Sequence, residues 1–281
     1  AAPPGFGRYL EGCIRLVEEQ GADVPAVRAY VCSDLPLGAG LSSSAALEIA
    51  TLRALRLLLH LPLDDVALAL MGQQAEIRYA QVNCGVMDQM AASLADEQHM
   101  LLLDARTLQH ALLDLPNDSE VPVIDSGVAR TLAGSKYNER RAECEQAARL
   151  LGVASLRDVL EPSVVEGLPE PYRRRARHVV SENLRVLQAC AQHGPTLFGQ
   201  LMAQSHASLR DDYEVSIPAL DALVALLSAH SAVYGARLTG AGFGGACVAL
   251  CRKHCAAKAG QDVVPRFNAS GHKARMVVPL A

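Results

Sequence analysis

The sequence predicts a mixed fold, α/β or α+β, on three observations. Segments with helical spacing of apolar residues interleave with alternating, β-branched ones along all 281 residues. Half of the residues are hydrophobic and a fifth are charged, a globular composition with length enough for one large domain or two ordinary ones. No segment repeats, and a soft boundary falls near 115–120, where LPNDSEVP is polar and turn-rich.

The elements follow in order. RYLEGCIRLVEEQ (8–20) carries Tyr9, Cys13, Ile14 and Val17 at helical spacing, and AVRAYVC (26–32) alternates as a strand does. LPLGAGLSSSAALEIA (35–50) runs into a helix expected at 45–60. LPLDD then supplies a proline and two acids to start a helix over 64–81, with Val66, Leu70 and Ile77 in its apolar stripe. NCG breaks that helix, MDQMAASLA starts a short third one, and HMLLLDA (99–105) reads as a strand. VPVIDSG (121–127) is a further strand, followed by a long helix over 135–151. Pro162, Pro169 and Pro171 mark a loop before a helix around 173–190, whose Arg173–Arg175 run reads as a solvated face rather than a binding patch. Helices over 198–211 and 217–230 come next, and ARLTG, AGFGGACVALC and ARMVVPL supply late strands.

Composition narrows the function. The formal net charge is −4, so no basic excess points to nucleic acid or an anionic membrane. Tryptophan is absent and aromatics reach only 4%, which leaves few platforms for stacking bases. There is no 18-residue apolar run and no charged-then-apolar leader at the start. The eight cysteines lie mostly singly in apolar stretches, as reduced cytoplasmic thiols do. Cys247, Cys251 and Cys255, with His254, lack a C-x-x-C pair and sit beside a strand pattern, so they are not read as a metal site. The expectation is a cytoplasmic monomer acting on small molecules, with neither nucleic acid nor membrane as partner.

The stretch Gly38-Ala39-Gly40-Leu41-Ser42-Ser43-Ser44 follows a predicted strand and precedes a helix. Glycines let backbone N–H groups approach an anion, and a helix N-terminus adds its positive dipole end. The serine hydroxyls add donors, and one of them could instead ligate magnesium. No lysine follows the glycines, which removes the G-x-x-x-x-G-K-[ST] phosphate loop. No acid lies near position 58 to hold a ribose, which counts against a dinucleotide fold. The plain alternative is a glycine turn before a serine-capped helix.

PLGAGLSSSAALE resembles the central ATP-binding motif of the GHMP kinases, in the form carried by the galactokinase branch. CGVMDQMAASLA (84–95) with LLLDARTL (101–108), VIDSGVARTLAGSKYNERRAECE (123–145) and SHASLRDDYEVSIPALD (205–221) are similar to further galactokinase segments. RLTGAGFGGACVAL (237–250) resembles the family's glycine-rich third motif. The resemblance implies an α+β, two-lobe kinase fold. Residues 1–117 would be the remainder of an N-terminal domain with the ATP loop. Residues 118–281 would be a C-terminal domain with a ferredoxin-like core. The family's opening motif, G-R-x-N-x-x-G-E-H-x-D-Y, has no match in this chain. In the family that segment supplies an arginine near the catalytic aspartate and most sugar contacts, so the 281-residue chain alone is expected to show little turnover.

What the resemblance implies for single residues is specific. Gly38, Ala39, Gly40, Leu41, Ser42, Ser43 and Ser44 would cradle the phosphates of ATP, and Ser44 with Glu76 would hold Mg2+. Asp88, at the opening of a helix where the dipole favours its ionised form, would accept the proton of an anomeric hydroxyl as it attacks the γ-phosphate. Gly85 and Tyr137 would contact the sugar together with Asp88. On its own, Glu76 reads as a solvent-facing glutamate. Gly240, Gly242, Gly244 and Gly245 read as a turn abutting the phosphate loop or as a purely structural reversal, and His206, Asp211 and Asp212 receive no chemistry. The function implied is phosphorylation of galactose at its anomeric hydroxyl. The rivals are a kinase for arabinose, N-acetylgalactosamine or a uronic acid, a galactokinase-like sugar sensor without turnover, and an inactive fragment.

Overall fold

A computed structural model describes residues 5–35, 40–96, 98–129, 133–192 and 194–279. It divides into two compact units, Ala1–Leu35 with Ser42–Leu115, and Pro36–Leu41 with Pro116–Ala281.

The first unit is built on helices α1 (Gly7–Glu19), α2 (Ser43–Leu59), α3 (Asp65–Arg78) and α4 (Met87–Leu94), followed by strands β1 (His99–Leu103) and β2 (His110–Asp114). Asp64 caps α3 by accepting a hydrogen bond from the Ala67 amide at 2.7 Å. The cap fixes where the LPLDD turn becomes helix. Cys13, Leu16 and Val17 of α1, Ile49, Leu52 and Leu55 of α2, and Leu68 and Ala75 of α3 form one apolar core. Val86 and Met90 seat α4 on Ala69, beside Leu101 and Leu103 of β1. Strands β1 and β2 form an antiparallel hairpin, with Leu101 opposite Leu112.

The second unit carries an antiparallel sheet. Its strands are β3 (Ser119–Glu120), β4 (Val123–Asp125), β5 (Val233–Leu238), β6 (Ala246–Arg252) and β7 (Arg275–Val278). Cys251 of β6 pairs with Glu120 on one side and Val233 on the other, so β3 and β4 continue one another along a single edge of β6. The strands therefore lie in the order β5, β6, β4, β7. Helices α5 (Ala133–Leu151), α6 (Tyr172–Ala191), α7 (Pro195–Asp211) and α8 (Pro218–Ser228) intervene between β4 and β5, and α9 (Ala256–Asn268) between β6 and β7. This is the β-α-β-β-α-β chain order of a ferredoxin-like fold. Leu220, Leu223 and Leu227 of α8 and Val263 and Phe267 of α9 fill the core with Ile124, Leu238 and Cys247 of the sheet.

Three sequence expectations change. Residues 26–32 form no strand; the segment is exposed, with Tyr30 94% exposed, and no described residue pairs with it. A β-rich pattern makes a strand only where a neighbour accepts its backbone hydrogen bonds. Arg175 is not on a solvated face: it is 2% exposed within an ion network, although Arg173 and Arg174 stay near the surface. Strand β2 and helix α9 were not expected from the pattern. In α9, Pro265 reads as a breaker but falls in the last turn, where it does little harm.

Candidate active site

The glycine–serine stretch ends in a left-handed residue. Ser42 sits at φ 52°, immediately before α2, and Gly40 at φ 79°. Ser42 occupies the cap position but its hydroxyl makes no capping bond, and no described residue is hydrogen-bonded by the hydroxyls of Ser42, Ser43 or Ser44. The serine-capped helix of the plain alternative is therefore not what forms. The first turn of a 17-residue helix opens its N–H groups beside three uncommitted hydroxyls, the chemistry that suits an anion. Gly38 and Ala39 lie outside the described residues.

Glu76 lies on the buried face of α3, at 7% exposure. That face runs through Leu68, Ala69, Gly72, Ala75 and Glu76, rather than through Val66, Leu70 and Ile77. Small residues let α3 approach α2 and α4 closely, and the carboxylate rides inward with them. The solvent-facing reading of Glu76 is thus excluded. Its Oε2 accepts hydrogen bonds from Gln89 Nε2 at 2.6 Å and from the Cys84 thiol at 3.6 Å. Its Oε1 accepts none from any described residue.

A second carboxyl stands behind it. Glu48, one turn along α2 from Ser44, is completely buried, and its Oε2 accepts from the same Gln89 Nε2 at 3.0 Å. Burial pushes its carboxyl up to about 8, against the pull of the Gln89 hydrogen bond and with the negative fields of Glu76 and Asp88 adding to the rise. The Cys84 thiol is pushed up to about 12, first by burial and then by Glu76.

Asp88 stands exposed in the first turn of α4 and makes no hydrogen bond or ion pair with any described residue. The turn that delivers it is tied back to α3. Gln73 Nε2 donates to the Cys84 carbonyl at 3.2 Å, and the Val82 amide donates to the Glu76 carbonyl at 3.2 Å. Gly85 is exposed within that turn, and a Cβ built there would meet nothing within 4 Å. So the first unit brings Ser44 and Glu48 of α2, Glu76 of α3, and Gly85, Asp88 and Gln89 around α4 into one structural body.

Tyr137 belongs to the second unit, on α5, and is 42% exposed with its phenol uncommitted among the described residues. One turn on, Arg140 fixes α5 by donating from Nε to the Tyr213 carbonyl at 2.7 Å. Gly240, Gly242, Gly244 and Gly245 all have positive φ, from 71° to 128°. Their turn has a structural partner: the Phe243 amide donates to the Val215 carbonyl at 2.8 Å. His206 is buried in α7 with Asp221 near its ring.

The residues fit a hard divalent cation. One hydroxyl and one carboxylate with an uncommitted oxygen suit an ion that takes its other oxygens from phosphates and water. Among the described residues no group of three or more His, Cys, Asp and Glu could hold a metal by itself. Sequence reasoning missed Glu48 and Gln89, since neither a glutamate nor a glutamine announces its own burial. No helix among the described residues is long and apolar enough to cross a membrane.

Comparison with known proteins gives the family. The model for the GHMP kinases N terminal domain matches residues 8–96, and that for GHMP kinases C terminal matches residues 186–269. A galactokinase of Roseiflexus sp. (strain RS-1) is 43% identical over 282 residues, spanning 96% of this chain and 72% of the relative. The Lactococcus lactis galactokinase complexed with galactose superposes with a TM-score of 0.86 at 30% identity, over 98% of this chain and 75% of that one. The Methanococcus jannaschii mevalonate kinase, 17% identical with a TM-score of 0.62 over 97% of this chain and 75% of its own, shares the fold. The chain belongs to the galactokinase family of the GHMP kinases, sugar kinases of α+β architecture.

Proposed function

We propose that this protein is a galactokinase, transferring the γ-phosphoryl group of ATP to the anomeric hydroxyl of galactose to give galactose 1-phosphate and ADP. The observation that carries the reading is a chain 43% identical to a galactokinase across 96% of its length whose Ser42–Ser44 hydroxyls, Glu76 Oε1 and Asp88 carboxylate are all uncommitted among the described residues. Phosphoryl transfer asks a protein mainly for positioning and charge stabilisation, and little covalent chemistry.

On this reading, Gly38 to Ser44 and the α2 N-terminus hold the phosphates. Ser44 and Glu76 would hold a Mg2+ ion, which would neutralise phosphate charge. Gly85 leaves room for the sugar ring, and Tyr137 donates or accepts at a sugar hydroxyl. The carboxylate of Asp88 takes the anomeric proton as the oxygen bonds to phosphorus and the bond to ADP breaks. The eight free thiols fit a reducing cytoplasm, and the acting form is a monomer without nucleic acid or membrane partner.

The test is ADP release across galactose, arabinose, N-acetylgalactosamine and glucuronic acid, with the Roseiflexus galactokinase as the reference. Galactose is expected to be the best substrate. Asp88→Asn is expected to lower turnover by about 10²- to 10⁴-fold with nucleotide binding retained. Binding of ATP and galactose without ADP release identifies a sensor instead, and a different best sugar identifies another sugar kinase.

A further inference from the structure

Gln89 is completely buried and spends both hydrogens of one amide nitrogen on two carboxyl groups from two other helices. It joins α4, α3 and α2 at a single atom. Its own Oε1 and Glu48 Oε1 are buried, with no hydrogen-bond partner among the described residues. Gly72 leaves the space for it: a Cβ there would meet Gln89 Cγ at 3.2 Å and Glu48 Cβ at 3.4 Å.

The choice of a neutral donor is the informative feature. An arginine or lysine could satisfy both carboxyls better, as arginines do in the second unit. It would also cancel the negative charge of Glu76. An amide anchors one oxygen of Glu76 and leaves its charge to be met by something else. Carboxylates that ligate metals are themselves held by hydrogen bonds, and such supports carry a measurable part of the affinity.

We propose that Gln89 is a positioning residue that holds Glu76 by Oε2 so that Oε1 is presented to the divalent cation of the nucleotide complex. The proposal rests on the reading of Glu76 as a cation ligand. It assigns Gln89 no contact with substrate, and its action runs entirely through Glu76.

The test is Mn2+ uptake, read from the loss of the free-ion electron paramagnetic resonance signal, with a non-hydrolysable ATP analogue present. Glu76→Gln sets the reference and is expected to weaken Mn2+ at least about tenfold, as is Gln89→Met, within the roughly 10- to 100-fold range for such supports. Nucleotide affinity in excess chelator should stay within about twofold in both variants, because the support acts on the cation alone. Ser93→Ala removes a bond from the other end of α4, where Ser93 Oγ donates to the Asp65 carbonyl at 2.7 Å, and should leave Mn2+ affinity unchanged. Should Gln89→Met fail to fold, Gln89→Lys replaces it. Lysine keeps donors for the carboxyls but adds the charge that the proposal forbids, so it too must lose Mn2+. Unchanged Mn2+ affinity in the Gln89 variant, with Glu76→Gln weakened, overturns the proposal and leaves Glu76 its role. Unchanged affinity in both, or no uptake by the unaltered protein, overturns the reading of Glu76 itself.

Discussion

Each unit of this protein buries a polar cluster, and the two are built on opposite principles. In the first, the carboxyls of Glu48 and Glu76 meet, among the described residues, the amide of Gln89 and the thiol of Cys84. In the second, every buried charge has a counter-charge. Arg175 donates from Nε to Glu143 at 2.7 Å, from one terminal nitrogen to the Asp212 carbonyl at 2.6 Å, and from the other to Glu214 at 2.5 Å. Arg140 donates to the same Glu143 oxygen at 2.7 Å, and Arg174 takes the other oxygen of Glu214 at 2.6 Å. This closed network holds Glu214 in a left-handed conformation, φ 54°, and so sets Val215, on which the glycine-rich turn rests. A compensated cluster is architecture, complete in itself. The uncompensated one carries negative charge that the fold leaves unmet.

The contrast can be broken most forcibly at Arg175. Arg175→Met takes one of two arginine partners from Glu143, 15% exposed, and one from the half-exposed Glu214, and is expected to cost about 3 kcal/mol, the lower end of the penalty for breaking a buried ion pair. Urea unfolding monitored in the second unit would register it, and a cost below about 1 kcal/mol would put the network with ordinary surface pairs.

Replacing the buried carboxyl of the first cluster should act in the opposite sense. Glu48 holds its proton in the folded state up to about pH 8, whereas the unfolded chain releases it near 4.5. Between those values the native state binds more protons, so stability falls as pH rises, by at most about 1.4 kcal/mol per pH unit. Glu48→Gln should flatten that fall and leave the variant more stable than the parent at pH 8. His178 contributes with the other sign. Burial, which outweighs the favourable field of Glu182, lowers its ring to about 4. The unfolded chain takes up that proton first, so stability falls as pH drops from the ordinary histidine value toward 4. Amide exchange from pH 5 to 8 should show alkali loosening the first unit and acid the second. A common trend in both units would remove the distinction.

The smallest effect is expected at Gly72. Gly72→Ala presses Gln89 Cγ by a few tenths of an ångström, which a side chain can partly absorb. Mn2+ affinity in the nucleotide complex should fall by about threefold, less than the tenfold or more expected on losing the support entirely. A loss as large as that of Gln89→Met would mean the crossing of α3 and α4, not the hydrogen bonds, governs the site.

Most of the helices were legible because their periodicity and caps agree, as with Asp64 and α3. The glycine–serine stretch was read as an anion site because glycines and hydroxyls crowd a short span, and the MDQ helix was given chemistry only through its resemblance to galactokinases. What stayed hidden depends on partners distant in the chain. Residues 26–32 have a strand's pattern, but pairing is not written in a single segment. The stripe of α3 was misjudged because Val66, Leu70 and Ile77 outrank alanine and glycine in hydrophobicity, while close helix approach selects the smaller residues. Arg175 and Gln89 look like solvated residues until three acceptors and two carboxyls, from other elements, arrive around them.

The thiols set how this protein ages. Only the thiolate reacts readily with oxidants and alkylating agents. Burial raises Cys13, Cys84, Cys144, Cys247 and Cys251 above the ordinary thiol range, so their sulfurs stay protonated and inert. Cys32 alone is fully exposed, on the segment that leads toward the serines. Chemical wear therefore begins a few residues from the glycine–serine stretch, while the sulfur touching Glu76 survives.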